Sequence, residues 1–281
     1  MRGQMQGVIA ASADTFAANR ARGAVTFDVH LQDGMTRRRE LHESGSLRVR
    51  FPSPEQQGLS AVFVNTAGGV AGGDIFDIDI STGEGARLTV TTAAAEKIYR
   101  SHGPDSQINI VLRAEAGSHM SWLPQETILF DQVRVIRKFD IDLADTASLL
   151  LSEIVVFGRT AMNESIMRGN FTDRWRLSRG GKLIFADTVK LDGDFGGKLA
   201  SRAIANGGVA IGTALIVPGD ESLLEKIREA SDSFGAEVGA SAWNGFALVR
   251  FCAQDAARLR TDMMTVLARV SPTGLPRLWL N

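Results

Sequence analysis

Hydrophobic and polar residues alternate with a period of two along much of this chain. The run from Val25 to Leu31 is the clearest example, because apolar residues occupy every second position and the turn dipeptide Asp33-Gly34 follows. Successive side chains of a strand point to opposite faces, so this pattern predicts a strand with one buried face. Alternation or an apolar run of strand length also occurs at residues 61–64, 76–80, 88–92, 108–112, 133–143, 149–157 and 171–177. The sequence therefore predicts a mainly β protein.

Two segments near the C-terminal end change to a helical pattern. Ser222 and Glu225 have the spacing of a capping box at the start of a helix. Residues 255–270 place four apolar residues on one face at helical spacing. Between these segments, residues 237–252 predict extended chain with a turn at Asn244-Gly245. About two α-helices near the C-terminal end are therefore expected beside the strands.

The composition is typical of a globular protein with a sizeable core. The chain has 281 residues, of which 44% are hydrophobic and 22% are charged. The 31 Lys and Arg residues are balanced by 32 Asp and Glu residues, so the chain lacks the basic excess of a typical nucleic-acid-binding protein. Cys252 is the single cysteine, which excludes a disulfide within the chain.

The N-terminal region has no clear periodicity, and we predict a flexible segment at residues 1–22 followed by one domain at residues 23–281. Its apolar run from Val8 to Ala11 is too short for a secretory signal. No stretch approaches the roughly 18 to 20 apolar residues that a membrane-spanning helix needs. These features predict a cytoplasmic protein that does not bind a membrane.

Metal-ligand spacing is missing from the sequence, and the glycine-rich segment lacks a phosphate-binding signature. The four histidines (His30, His42, His102 and His119) are scattered, and a permanently bound metal is therefore not expected. Asn65 to Asp74 contains four glycines, but no Lys-Ser/Thr follows them and no helix begins there. We therefore favour a tight turn or a close approach of two backbones.

Five segments taken in order resemble the hallmark segments of the UreD (UreH) family of urease accessory proteins. These segments are Asn65 to Asp74, Thr91 to Ser101, Trp122 to Asp131, Glu153 to Arg159 and Leu275 to Trp279. The resemblance extends from about residue 23 to the C-terminus. It implies a stacked, helical-type arrangement of β-strands, in agreement with the strand pattern, and a role that is not enzymatic.

The resemblance also implies partners and a cargo. Proteins of this family bind urease apoprotein and act with UreF and the GTPase UreG to insert nickel into urease, while UreE donates the nickel indirectly. The family is thought to let nickel pass through its interior. Such a passage needs ligands that release the ion, and carboxylates and carbonyls bind nickel(II) more weakly than imidazole or thiolate. We therefore expect transient nickel(II) and no permanently bound cofactor.

The resemblance directs attention to particular residues. Four carboxylates in or beside the family-like segments are candidates for the passage: Glu126, Asp131, Glu153 and Glu164. The ordinary alternative is that each forms an ion pair, with Arg100, Arg159 or Arg168 as possible partners. Tyr99 and Arg100 are candidates for partner contact, because both residue types are enriched at interface hot spots.

Two further hypotheses remain open from the sequence. In one, the chain is a stand-alone β-rich hydrolase or lyase that uses Glu126 and Asp131 as acid and base. Their separation of five residues would send the two side chains to opposite faces of a regular strand. In the other hypothesis, the chain is a structural interaction module without a metal passage.

Overall fold

The computed structural model describes residues 20–52, 58–159, 162 and 164–280. Most of the predicted flexible segment, residues 1–19, therefore lies outside the described residues. The first strand begins at Arg22, one residue before the predicted start of the domain. Among the described residues, no helix is both long enough and apolar enough to cross a lipid bilayer.

Seventeen strands dominate the described part of the chain. In chain order they are β1 (Arg22–Gln32), β2 (Met35–Ser44), β3 (Leu47–Arg50), β4 (Leu59–Asn65), β5 (Ile75–Thr82), β6 (Arg87–Thr92), β7 (Glu96–Ile98), β8 (Ser106–Ala114), β9 (His119–Trp122), β10 (Thr127–Leu129), β11 (Val133–Leu143), β12 (Ser148–Phe157), β13 (Arg168–Arg179), β14 (Lys182–Asp194), β15 (Ala210–Val217), β16 (Glu237–Trp243) and β17 (Phe246–Ala253). All eight segments with a strand pattern are strands, which confirms the mainly β prediction.

The strands form two sheets that the chain visits alternately. The first sheet has the order β14-β13-β11-β8-β5-β1-β2, and the second has the order β16-β17-β15-β12-β9-β6-β4-β3, with β7 and β10 attached to the side of β12. From β4 to β13 the long strands alternate between the sheets, and neighbours within each sheet are parallel. This is the stacked, helical-type arrangement that the family resemblance implies.

Three α-helices occur in the described residues: α1 (Phe195–Ala200), α2 (Glu221–Arg228) and α3 (Ala256–Val270). The two C-terminal helices confirm the predicted ones, whereas the short α1 is not predicted by the sequence pattern. Asp255 caps α3 by accepting hydrogen bonds from two backbone N–H groups. The N-cap of α2 is Asp220 and not Ser222, because the Asp220 side chain accepts from the Leu223 N–H.

The main core lies between the two sheets, and a second core lies under the C-terminal helices. In β1, the inward residues Val25, Phe27 and Val29 are at most 1% exposed. Leu259 and Met263 of α3 are fully buried in the second core. Burial of apolar surface of this kind is the main stabilising contribution to such a fold. Charged residues in the main core are therefore unusual, and they lie at the candidate site.

Candidate functional site

A cavity of about 360 Å³ lies between the two sheets, and four of the five family-like segments line it. The segments contribute Asn65 and Gly68, then Thr92 to Lys97, then Trp122, Pro124, Gln125 and Thr127, and finally Glu153. Apolar side chains of both sheets, including Phe63, Phe76 and Ile110, complete the wall. The cavity reaches the surface beside Ala93 and Lys97, which are exposed.

The glycine-rich segment is a turn packed closely against the Thr91 to Ser101 segment. A Cβ atom on Gly72 would lie 1.9 Å from Ser101 Oγ, and one on Gly69 would lie 2.4 Å from the Tyr99 ring. Asp74 closes the turn, since its carboxylate accepts hydrogen bonds from the N–H groups of Ala71 and Ala21. The Val70 N–H donates to the Lys97 carbonyl and the Tyr99 N–H donates to the Val70 carbonyl, both at 2.8 Å, which confirms the prediction of a close backbone approach on one side of the cavity mouth.

Glu96 lies at the mouth of the cavity. Asn65 Nδ2 donates to both carboxylate oxygens of Glu96 at 3.2 Å. Burial nevertheless raises the pKa of Glu96 to about 7, against the opposing effects of Asn65 and of Lys97. The mouth therefore carries a carboxyl group that exchanges its proton near neutral pH.

A buried cluster of three charged side chains borders the cavity, and two of them, Arg137 and Glu153, line it. Arg137 Nη1 lies 2.5 Å from Glu153 Oε2, and Arg137 Nη2 lies 2.6 Å from Asp173 Oδ2. Arg137 Nε also donates to Asp173 at 3.0 Å, and Trp122 Nε1 donates to Glu153 at 2.9 Å. The three charged side chains are 4–8% exposed. We name these three residues the interior triad.

The electrostatics of the interior triad are set by burial and mutual attraction. Burial disfavours charge on Arg137, but the two carboxylates outweigh it and raise the pKa of Arg137 above its usual value. Burial also disfavours charge on Glu153 and thereby raises its pKa, while Arg137 and Trp122 act to lower that pKa. The direct contacts place one guanidinium between two carboxylates in a region where an unpaired charge would be costly, and they offset one of the two negative charges.

Strand register explains how the interior triad forms. Arg137 of β11 and Asp173 of β13 occupy inward positions and lie directly beside each other in the parallel register. Glu153 reaches them from β12 of the opposite sheet. The triad therefore links the two sheets across the core.

Glu126 lies outside the cavity lining and contacts helix α3. Its carboxylate is 2.7 Å from Arg260 Nη1, which also donates to Gln125 Oε1 at 2.8 Å. Arg260 Nη2 donates to the Trp279 carbonyl, and Gln125 Nε2 donates to the Leu278 carbonyl. The fifth family-like segment therefore contacts Gln125 directly through the Leu278 carbonyl, and it is connected to Glu126 through Arg260.

Asp131 and Glu164 lie together in a more exposed cluster. Arg159 pairs with the Glu164 carboxylate, whose other oxygen accepts from the Asp131 N–H at 3.1 Å. Asp131 Oδ1 accepts from the N–H groups of Met167 and Arg168 at 2.7 and 3.0 Å. Hydrogen bonding to Arg159 lowers the pKa of Glu164. Burial acts to raise the pKa of Asp131, but hydrogen bonds from the backbone N–H groups of Met167 and Arg168 and from Gln132 together outweigh it and lower the pKa.

Tyr99 borders this exposed cluster, and Arg100 is exposed next to it. The Tyr99 ring is half-buried and contacts the Phe130 ring edge-to-face, with centroids 5.1 Å apart. The guanidinium of Arg159 lies over the ring of Phe130, 4.3 Å from its centroid. Tyr99 OH donates to the Gly68 carbonyl, so it also ties the cluster to the mouth of the cavity.

The described His, Cys, Asp and Glu side chains form no group of three or more that could hold a metal ion. His119 is buried between two hydroxyl groups, those of Ser148 at 2.8 Å and Ser121 at 2.9 Å. Burial, helped by Arg87, lowers the pKa of His119 to about 4. This histidine is hydrogen-bonded within the fold.

The structure places the proposed acid–base pair in separate surroundings. Glu126 pairs with Arg260 of α3, whereas Asp131 binds backbone N–H groups at the start of β13. A general acid and base need a shared position where a substrate can meet both groups. The hydrolase or lyase hypothesis therefore gains no support from the geometry.

The sequence also matches known proteins over nearly its whole length. A family model described as UreD urease accessory protein matches residues 21–280. A protein named Urease accessory protein UreD from Bradyrhizobium diazoefficiens is 69% identical over 277 residues, which cover 99% of this chain and 100% of that protein. Another with this name from Rhodopseudomonas palustris (strain BisB18) is 70% identical over 270 residues, covering 96% of this chain and 98% of that protein.

Proposed function

Because the chain belongs to the UreD family of urease accessory proteins, we propose that it acts in nickel insertion into urease apoprotein. In this proposal it binds apo-urease and works in the cytoplasm with UreF and the GTPase UreG, in a GTP-dependent step. UreE supplies nickel indirectly. The chain is a scaffold and metallochaperone, not an enzyme, and nickel(II) is its transient cargo and no permanent cofactor.

The observation that carries this proposal is the meeting of four family-like segments at one interior cavity. The cavity has a titrating carboxyl group at its mouth, Glu96, and Glu153 in its wall. The cavity wall is mostly apolar, but carboxyl groups buried in it support passage of an ion through the interior better than they support a purely structural module.

The ligand chemistry also supports transient binding. Carboxylate oxygens at a site without imidazole or thiolate bind nickel(II) weakly enough for release. Among the four candidate carboxylates, Glu153 lines the cavity. We keep Glu126, Asp131 and Glu164 as candidates for transient contacts outside the cavity.

The first test is co-expression with the urease subunits, UreF and UreG, with and without this chain. The proposal predicts that urease activity is lost without the chain and that the chain co-purifies with apo-urease. Full urease activity in its absence would overturn the proposed role.

Glu153→Gln tests the passage in the same assay. Trp122 and Arg137 donate to different oxygens of Glu153, so the variant keeps an acceptor for one of them while it removes the charge that would attract nickel. We expect urease activation to fall at least about tenfold while co-purification with apo-urease is retained. Glu225→Gln, an exposed substitution on α2, is the matched control. Normal activation by the Glu153 variant would remove Glu153 from the passage.

The exposed cluster beside the mouth supports a partner contact at Tyr99 and Arg100. Arg100 is exposed and Tyr99 is held in place by Phe130 and by the Gly68 carbonyl. We expect Arg100→Ala to weaken co-purification with the urease complex and to leave thermal stability unchanged. Unchanged co-purification would exclude Arg100 from the interface.

A further inference from the structure

A second, much smaller cavity lies on the far side of the interior triad. It has a volume of about 20 Å³, enough for one water molecule or a bare ion. Arg137 and Glu153 line both cavities, so the Arg137–Glu153 contact stands between them. Beyond the small cavity, Arg250 pairs with Asp187 of β14 and donates to Thr213 Oγ1 at 2.9 Å.

The two cavities, whose walls are mostly apolar, and the charged pairs lie in a line across the space between the sheets. It runs from the mouth at Glu96, past the interior triad, to the half-exposed Arg250–Asp187 pair. Beyond the large cavity, each carboxylate on this line is paired with an arginine: Asp173 with Arg137, and Asp187 with Arg250. A cation that used these carboxylates would have to replace the arginines.

Charge balance makes such a replacement reasonable. Glu153 and Asp173 are buried, so removing Arg137 from them without substitution would leave two uncompensated charges in the core. A divalent cation between the same two carboxylates would balance both negative charges, whereas Arg137 balances one of them. Arg137 and a divalent cation cannot both lie between the two carboxylates, because two positive charges in contact repel each other strongly in a buried environment.

We infer that Arg137 is an exchangeable gate, occupying the position between Glu153 and Asp173 that the nickel cargo takes when it passes. This inference rests on the proposed function for the identity of the cargo. It assigns Asp173 as a second carboxylate of the passage and Arg137 as the positioning residue that closes it.

Arg137→Gln tests the exchange through metal binding. The full-length chain, without a polyhistidine tag, is heated with and without nickel(II), and with magnesium(II) as a comparison ion. With the gate removed, we expect nickel at about 100 times its Kd to raise the Tm by about 5 °C or more. Nickel should shift the wild-type Tm by less than about 1 °C, because Arg137 already occupies the position between the two carboxylates.

Two further variants show where the ion binds. Arg137→Gln combined with Glu153→Gln should lose the nickel-dependent shift, because one of the two carboxylates is gone. Arg113→Gln is the matched control, since Arg113 pairs with Asp79 on the exposed face of the same sheet. It should behave as wild type. A folded Arg137→Gln variant without a nickel-dependent shift, or one whose shift survives Glu153→Gln, overturns the inference.

Arg137→Lys covers the case in which Arg137→Gln fails to fold. Lysine supplies a cation for folding, but its single ammonium group cannot reproduce the paired hydrogen bonds to Asp173 while also holding Glu153, and unlike arginine it can lose its proton in a buried site when nickel enters. We expect this variant to retain more nickel than wild type in equilibrium dialysis, and equal retention would refute the gate. These binding measurements need no urease, so they fail or succeed separately from the activation assay.

Discussion

The interior triad and the exposed cluster at Arg159 combine the same residue types in very different surroundings. Arg137 holds two carboxylates with all three side chains nearly excluded from solvent. Arg159 holds Glu164 with side chains that are 38% and 25% exposed. The interior triad links two sheets across the core, whereas the Arg159–Glu164 pair joins residues five positions apart.

The pKa values of the two glutamates move in opposite directions. Burial raises the pKa of Glu153, whereas the hydrogen bond from Arg159 lowers the pKa of Glu164. Water screens the exposed pair and hydrates its ions, so that pair costs little to form or to break. In the core, each charge depends on its partners. The comparison teaches that burial, and not residue type, makes the interior triad a place where one cation can replace another.

The largest expected effect is the loss of stability when Arg137 is removed. Arg137→Met leaves two buried carboxylates without their cation, and we expect the free energy of unfolding to fall by about 3–5 kcal/mol. Urea unfolding followed by tryptophan fluorescence measures this change. The same substitution at Arg159 should leave the unfolding midpoint close to wild type. Equal losses at both positions would show that burial does not distinguish the two clusters.

A smaller, pH-dependent effect is expected at Glu96. Because its pKa is raised from 4.5 to about 7, the folded state binds more protons than the unfolded state between these pH values. Wild-type stability should therefore fall, relative to Glu96→Gln, as pH rises through this window. At pH 8 the variant should be more stable by up to about 3 kcal/mol.

Unfolding at pH 4 and pH 8 checks the sign of this effect. At pH 4 the Glu96 carboxyl is largely protonated in both states, and the variant keeps an oxygen for Asn65 Nδ2, so the two proteins should be about equally stable. A Glu96→Gln variant that is less stable than wild type at pH 8 would contradict the assignment of a buried, proton-exchanging carboxyl group to the cavity mouth.

The sequence contains a local signal for two residues of the interior triad, Arg137 and Asp173. Period-two alternation in β11 and β13 predicts the strands from their apolar positions, and Arg137 and Asp173 interrupt the apolar sets of these strands. A charged residue at an inward position is informative, because it must find a partner when it is buried. The pattern does not identify that partner, since Glu153 comes from the opposite sheet.

Local patterns by themselves determined eight of the seventeen strands, the extended chain of β16 and β17 with its turn, and the two C-terminal helices. These features depend on side-chain alternation, capping and backbone preference within a few residues, and the Asn244-Gly245 turn between β16 and β17 is an example. Family resemblance added the stacked arrangement and the general role. The meeting of Glu153 with Arg137, and the separation of Glu126 from Asp131, were decided by the tertiary structure alone. Strand register and sheet packing join residues that are distant in sequence, and burial then fixes the cost of each charge.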